Sequence, residues 1–305
     1  MGTTWSVRLV AARKADLHAL HTDIQAPLNL VVQQMSTWEE TSDLSRYNRA
    51  NAGQWLAIPT EFAQVLRCAL EVAEASNSAF DPSIGSLVGV WGFGAHAHST
   101  TPTPEALDIA RQHAGWQRIV LDAEHNHVLQ PGGVQLDLSA IAKGFAADLV
   151  ATTLRHRGIE SALVEVGGEL LGFGQKPDGE PWRALVEAGP EEDDHHLPPR
   201  ILELNDLAVA TSGDRWHHYT RDGQHYTHTI DPRSGQPLAH AMAAVSVIAN
   251  SAMQADAWAT ALSVLGAEAG FALAEQLQLG ARFLTRSNGE LHERMTTHFQ
   301  QALAA

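Results

Sequence analysis

Apolar residues recur along this chain at two spacings, and the change from one to the other outlines its elements. The opening MGTTWSVRLV reads as a strand. Over residues 15–35, Leu17, Leu20, Ile24, Leu28, Val31, Val32 and Met35 keep the three-and-four spacing that lines one face of a helix. The polar stretch TSDLSRYNRAN then predicts a loop. A second helix is predicted over residues 59–75, with Thr60 as its N-cap and Cys68 on its apolar face. Pro82 and the glycines of FDPSIGSLVGVWGFG predict an irregular segment.

Short strands broken by turns, one of them at residues 131–133, fill residues 118–134, and a helix follows from near Ser139 to about His156. ALVEVGGELLGFG, WRALVEAG and RILELNDLAVATSG read as a β meander. Between the last two, the charge and prolines of PEEDDHHLPPR predict a solvated loop, with adventitious metal binding by its histidines as the alternative. AAVSVIA is a strand that feeds a helix over residues 251–265, a further helix over 266–277, and a last strand, ARFLTR. Helices mixed with largely antiparallel strands, without βαβ regularity, predict an α+β fold rather than a Rossmann sheet.

Composition narrows the class. At 305 residues, with 44% hydrophobic and 18% charged positions, the chain can bury its own core as one large domain or two packed halves. No uninterrupted apolar run reaches the roughly 20 residues of a membrane-spanning helix. A formal net charge of −15 argues against a nucleic-acid partner, which needs a basic footprint. With a single cysteine, the chain cannot form an intramolecular disulfide or a cysteine-cluster metal site.

Several clusters carry chemistry. In LDLSAIAKGFAAD, Asp137 is expected to close a strand just before a helix whose first turns hold Lys143. Outward-pointing amides and a nearby ammonium suit a pyrophosphate, although the spacing alone fits an ordinary capped helix with a solvated lysine. In SAMQADAWATAL, Asp256 and Thr260 stand four apart and share a helix face, a minimal oxygen platform for a hard cation. Such pairs are common on exposed helices, but Met253, Ala257, Trp258, Ala261 and Leu262 surround this one with apolar side chains, and a buried acid needs a cation or hydrogen bonds. In HYTHTIDPRSGQP, residues 231–235 read as a hairpin turn, and His228 is either a general base for a hydroxyl or a structural histidine. WGFG, at residues 91–94, could lie against a planar ring or be a packed turn. ATSGD sets small residues and an acid at a strand end.

Taken in order, MGTTW, SRYN, FDPSIGSLVGVWGFG, LDLSAIAKGFAAD, LVEVGGELLGFG, ATSGD, HTIDPRSGQP and SAMQADAWATAL resemble the ApbE family of FAD:protein FMN transferases over nearly the whole chain. The resemblance implies one α+β domain over residues 1–305, built of two closely packed subdomains with a mixed, largely antiparallel sheet and an FAD site at their junction. It implies Mg2+, or Mn2+ in its place, held by the Asp256 carboxylate, the Thr260 hydroxyl and the main-chain carbonyl of Ala140. FAD, as substrate, would be contacted by Met1, Tyr47, Trp91, Gly92, Phe93, Asp137, Lys143, His228, Thr229 and Ile230. Thr229 departs from the pattern, since the family often has an aliphatic residue there. His228 matches the family's suggested base, and Asp256 joins it in the catalytic set.

The implied reaction moves FMN from FAD to a Thr or Ser hydroxyl of an acceptor protein, such as a flavoprotein subunit of a membrane redox complex, with AMP leaving. A Mg2+-dependent FAD pyrophosphatase and a non-catalytic FAD-storage protein are the alternatives. The resemblance also implies a periplasmic or cell-envelope location, with an export segment preceding these residues, against a cytoplasmic alternative.

Overall fold

The structure, a computed structural model, describes residues 2–95, 101–186, 197–198, 200–213, 218–221, 224–238, 242–287 and 290–304. In chain order the elements begin with β1 (Trp5–Leu9), α1 (Leu17–Met35), α2 (Asp43–Asn48), β2 (Gln54–Ala57), α3 (Thr60–Ala75), α4 (Gly85–Val90) and α5 (Pro104–His113). There follow β3 (Val120–Asp122), β4 (His127–Gln130), α6 (Ala142–His156), β5 (Ala162–Val166), β6 (Glu169–Phe173), β7 (Trp182–Val186), β8 (Arg200–Leu204) and β9 (Leu207–Gly213). The remainder holds β10 (His218–Arg221), β11 (Gln224–Thr227), β12 (Ile230–Asp231), β13 (Gln236–Pro237), β14 (Met242–Ala249), α7 (Ala252–Gln276), β15 (Gly280–Ser287), β16 (Glu290–Met295) and α8 (Thr297–Gln301). Two compact units result, the first taking in residues 30–142 and 217–239, the second residues 2–29, 143–216 and 240–305.

The second unit is organised by a seven-stranded antiparallel sheet in the order β1-β5-β6-β9-β14-β15-β16. Alternation along β14 sorts its two faces, as the two-residue period of a strand requires. Val245 and Val247 pack with Phe283, Ala259, Leu262 and Ala274 under α7, whereas Ile248 joins Val209 and Leu163 against Trp182, Leu202, Leu204 and Phe299 on the other side. Each aliphatic side chain fully buried in this way contributes about 1.5–3 kcal/mol. By length and composition α7 is apolar enough to cross a membrane, which counting uninterrupted apolar runs does not register. It is instead the core helix of this unit, broken where Gly266 turns to φ 79° and ψ 177°, at the boundary expected between two helices. The expected meander is rearranged: β7 and β8 pair with each other, while β9 lies between β6 and β14.

In the first unit, α3 buries Phe62, Val65, Leu66, Cys68, Ala69 and Val72, and β4 pairs with β2 on one side and β3 on the other. Its helix start differs from expectation: the cap residue is Pro59, which offers no side-chain bond, and Thr60 is the first helical residue. The segment expected to be a polar loop contains α2, because Ser42 accepts the Ser45 amide at 2.9 Å and so caps a short helix. The segment expected to be irregular contains α4. Helix α5 was not foreseen, although Thr103 caps it and Pro104 stands in its first turn. Helix α6 starts at Ala142, after a turn over residues 139–141. Most of PEEDDHHLPPR lies outside the described residues, as do Met1 and Asp214.

Candidate active site

Lys143 and Gly144, the start of α7 and the acid that opens β6 meet inside the second unit. Gly144 in α6 lies so close to the start of α7 that a Cβ there would fall 2.1 Å from the Ala252 carbonyl oxygen. That approach lets the Gly144 amide donate to Asp256 Oδ2 at 3.0 Å. Asp256 Oδ1 faces the Lys143 ammonium at 3.7 Å, and the same ammonium pairs directly with Glu169. Both acids are nearly closed off, with side chains 8% and 3% exposed, whereas Lys143 keeps 30%. Thr260 follows Asp256 by one helical turn, well before the break at Gly266.

Burial drives the Asp256 carboxyl upward, and Lys143 and the Gly144 amide pull it back only in part. Two acids and one ammonium leave an unmatched negative charge when all are ionised. A carboxylate whose Oδ1 lies 3.7 Å from the nearest ammonium and a hydroxyl one turn along fit a hard divalent cation. Among the described residues no three His, Cys, Asp or Glu side chains form a ready-made cage. A cation here would therefore draw its remaining oxygens from main chain, water or a substrate phosphate.

The first unit gathers WGFG, the DPRSG turn with His228, and the SRYN segment. Trp91, 3% exposed, packs with Leu87, Ala110 and Ile230, and its indole donates to the Gly235 carbonyl at 2.9 Å. WGFG is thus pinned to the DPRSG turn, where the Gly235 amide donates to the Asp231 carbonyl at 2.7 Å and Arg111 donates to the Ser234 carbonyl. Arg233 engages Asp231, and although burial pushes that carboxyl up, the arginine holds it below its ordinary value. His228 and Thr229 are half-buried between β11 and β12, with the Thr229 carbonyl accepting from Leu238 and Thr227. The SRYN segment braces the approach to Asp137: Tyr47 donates to the Leu129 carbonyl at 3.1 Å, and Asn48 exchanges two bonds with Leu136.

Sequence-named residues thus meet in two sets. Lys143 and Asp256 face each other at 3.7 Å in the second unit, with Thr260 on the helix of Asp256. Trp91 and Ile230 share a cluster in the first, whose rim keeps Gly92 and Phe93 partly exposed. Tyr47 is fully buried, its phenol pushed up by that burial, so its side chain belongs to the core. Asp137 does not close a strand. Its amide bonds to Pro82 and its carboxylate takes the Ser139 amide at 2.8 Å, ahead of the turn that holds Ala140. Glu169 and Asp148 escaped the sequence reading. The signals available were an acid opening the apolar run ELLGF after two glycines, and an acid one turn beyond Gly144.

Comparison with known proteins meets this geometry. The FAD:protein FMN transferase of Vibrio cholerae is 35% identical over 306 residues, covering 100% of this chain and 91% of that protein. The Escherichia coli K12 protein of the same name is 29% identical over 309 residues, covering 100% and 88%. The crystal structure of the Pseudomonas stutzeri flavinyl transferase ApbE in its apo form superposes with a TM-score of 0.92 at 36% identity, covering 100% of this chain and 95% of that one. The Thermotoga maritima ApbE protein gives 0.86 at 26% identity, covering 99% of both. The ApbE family model matches residues 1–283, and the chain belongs to the ApbE family.

Proposed function

We propose that the chain transfers the FMN half of FAD to a Thr or Ser hydroxyl of an acceptor protein, in a reaction that depends on Mg2+ or Mn2+ and releases AMP. Flavin transfer to protein is supported by full-length kinship to FAD:protein FMN transferases. The cation dependence is supported by one observation above all: a buried Asp256 carboxylate beside an ammonium already engaged by a second acid. In this reading Asp256 and Thr260 hold the cation, with the Ala140 carbonyl as the third protein ligand. When bound, the cation supplies charge neutralisation to phosphate oxygens. Lys143 adds a point charge to the pyrophosphate.

Trp91 fixes the segment in which Gly92 and Phe93 meet the flavin, and Asp137, Thr229 and Ile230 complete its contacts. His228 takes the proton of the acceptor hydroxyl as that oxygen attacks the FMN phosphorus. The bond from phosphorus to the bridging oxygen breaks, and AMP departs with the electron pair. The acceptor is a protein that offers an exposed Thr or Ser segment, such as a flavoprotein subunit of a membrane redox complex. The compartment proposed is the periplasm or cell envelope, which fractionation of the source cells checks.

The decisive experiment incubates the protein with FAD, Mg2+ and such an acceptor and weighs the acceptor. One covalent FMN and one AMP per modified acceptor are expected, both lost with chelator. AMP release at the same rate without acceptor would make the protein a pyrophosphatase, and FAD returned uncleaved would make it a storage protein.

A further inference from the structure

Glu169 lies outside the set of residues named above for FAD and cation, yet it is among the most buried charges in the second unit, with its side chain 3% exposed. A carboxylate at that depth requires a partner, and its partner is the Lys143 ammonium. The turn before it is shaped for that lysine. Gly167 holds φ +63°, which favours glycine, and a Cβ on it would crowd the lysine stem, 3.0 Å from Lys143 Cδ and 2.9 Å from Thr3 Oγ1. Gly168, next in the turn, donates its amide to Glu165 Oε1 at 2.9 Å, fixing the loop that presents Glu169. The lysine head thus rests on Glu169, while Asp256 Oδ1 stays 3.7 Å away, beyond direct hydrogen-bond distance.

An ammonium is a compact, mobile point charge. Without Glu169, the strongest acceptor left within its reach is Asp256, and a lysine paired there occupies the oxygen that a divalent cation would use. We infer that Glu169 is a positioning residue that keeps Lys143 off Asp256, so that the Asp256 carboxylate stays open to a divalent cation while the ammonium stays poised beside it for phosphate. This rests on the reading of Asp256 and Thr260 as the cation platform.

The test is a titration of the full chain with Mn2+ in the absence of FAD, following free Mn2+ by electron paramagnetic resonance. Glu169→Asp keeps the charge but withdraws it by one methylene, leaving the ammonium to swing to Asp256. Its Mn2+ affinity is expected to fall about tenfold, the scale found for groups that orient metal ligands. Removing the competitor in Glu169→Asp/Lys143→Met should return the affinity to within about threefold of that of Lys143→Met alone, because Glu169 then has no ammonium to position, a recovery that a merely structural role would not produce.

Unchanged affinity in Glu169→Asp, or no recovery in the double variant, overturns the inference. Asp256→Asn separates the two levels. If it binds Mn2+ as tightly as the unmutated chain, the cation platform itself is wrong, and this inference goes with it. If Asp256→Asn loses Mn2+ while Glu169→Asp does not, only the role of Glu169 fails. Should Glu169→Asp not fold, as judged by its thermal melt, Glu169→Gln is titrated in its place with the same two expectations.

Discussion

The Asp148 carboxylate in α6 accepts the Ser251 hydroxyl at 2.7 Å and takes the Ala252 and Met253 amides at 2.8 and 2.9 Å. One side chain thus satisfies donors that the first turn of α7 would otherwise leave open, and it does so from another helix. Helix α7 carries Asp256 and α6 carries Lys143, so this cap also sets the distance between the two charges. Asp148→Ala strands the three donors and is expected to cost about 2–3 kcal/mol, read as a lower midpoint in urea denaturation. An unchanged midpoint would mean that α7 does not depend on this cap.

Gly144 sits one turn before Asp148 and makes the same junction close. A methyl group there would meet only backbone: the Ala252 carbonyl oxygen at 2.1 Å, its carbon at 2.5 Å and the Met253 nitrogen at 2.8 Å. Neither helix can move aside without breaking the bond from Gly144 to Asp256. Gly144→Ala is therefore expected to destabilise the chain by about 3 kcal/mol, the upper range for overpacking, and to weaken Mn2+ binding as well. A thermal melt equal to that of the unmutated chain would contradict the tight contact.

In the first unit, Trp91 serves as an anchor for the DPRSG turn. Trp91→Phe keeps a ring in the cluster with Leu87 and Ile230 but loses the donor to Gly235. The expected cost is about 1 kcal/mol. A more direct readout is local: the Gly235 and Leu238 amides, bonded to Asp231 and Thr229, should exchange hydrogen faster in the variant. Equal exchange at both would show that the turn holds without the indole.

How much of this was legible beforehand follows from which interactions are local. Helices α1 and α3 announce themselves because their apolar faces repeat over several turns, and Gly266 marks its break because a residue at positive φ cannot continue a helix. Helix α2 did not, since six residues carry too little periodicity to outweigh a polar composition, and its start depends on one serine cap. The placement of β9 beside β14, rather than in a meander with β7 and β8, is decided by which faces bury together, and no local pattern encodes it. Asp256 stood out as an acid in an apolar helix. Glu169 and Asp148 did not, because their partners, Lys143 and Ser251, are brought to them only by the packing of α6 and the β5–β6 turn.

Glu293 of β16 gives the fold a definite acid response. Its carboxylate is 8% exposed and accepts from Arg282 at 2.6 Å, while Arg200 reaches it from β8 at 3.0 Å. Arg282 is wholly buried and also donates to the Val186 carbonyl at 3.1 Å. Burial pushes the Glu293 carboxyl up, but the bonds from the two arginines outweigh it and hold the group below its ordinary value of 4.5. A carboxyl depressed in the folded state binds fewer protons than its unfolded counterpart between the two pKa values. Its stabilisation is therefore complete above about 4.5 and is lost as the pH falls through the lower, folded value. Glu293→Gln removes that dependence and takes away the buried carboxylate that both Arg282 and Arg200 engage, a loss of about 3–5 kcal/mol at neutral pH. Urea midpoints measured from pH 7 down to pH 3 should show the unmutated chain losing its advantage over the variant only below about pH 4.5. A gap between the two that stays constant across that range would show that Glu293 is not held ionised by Arg200 and Arg282.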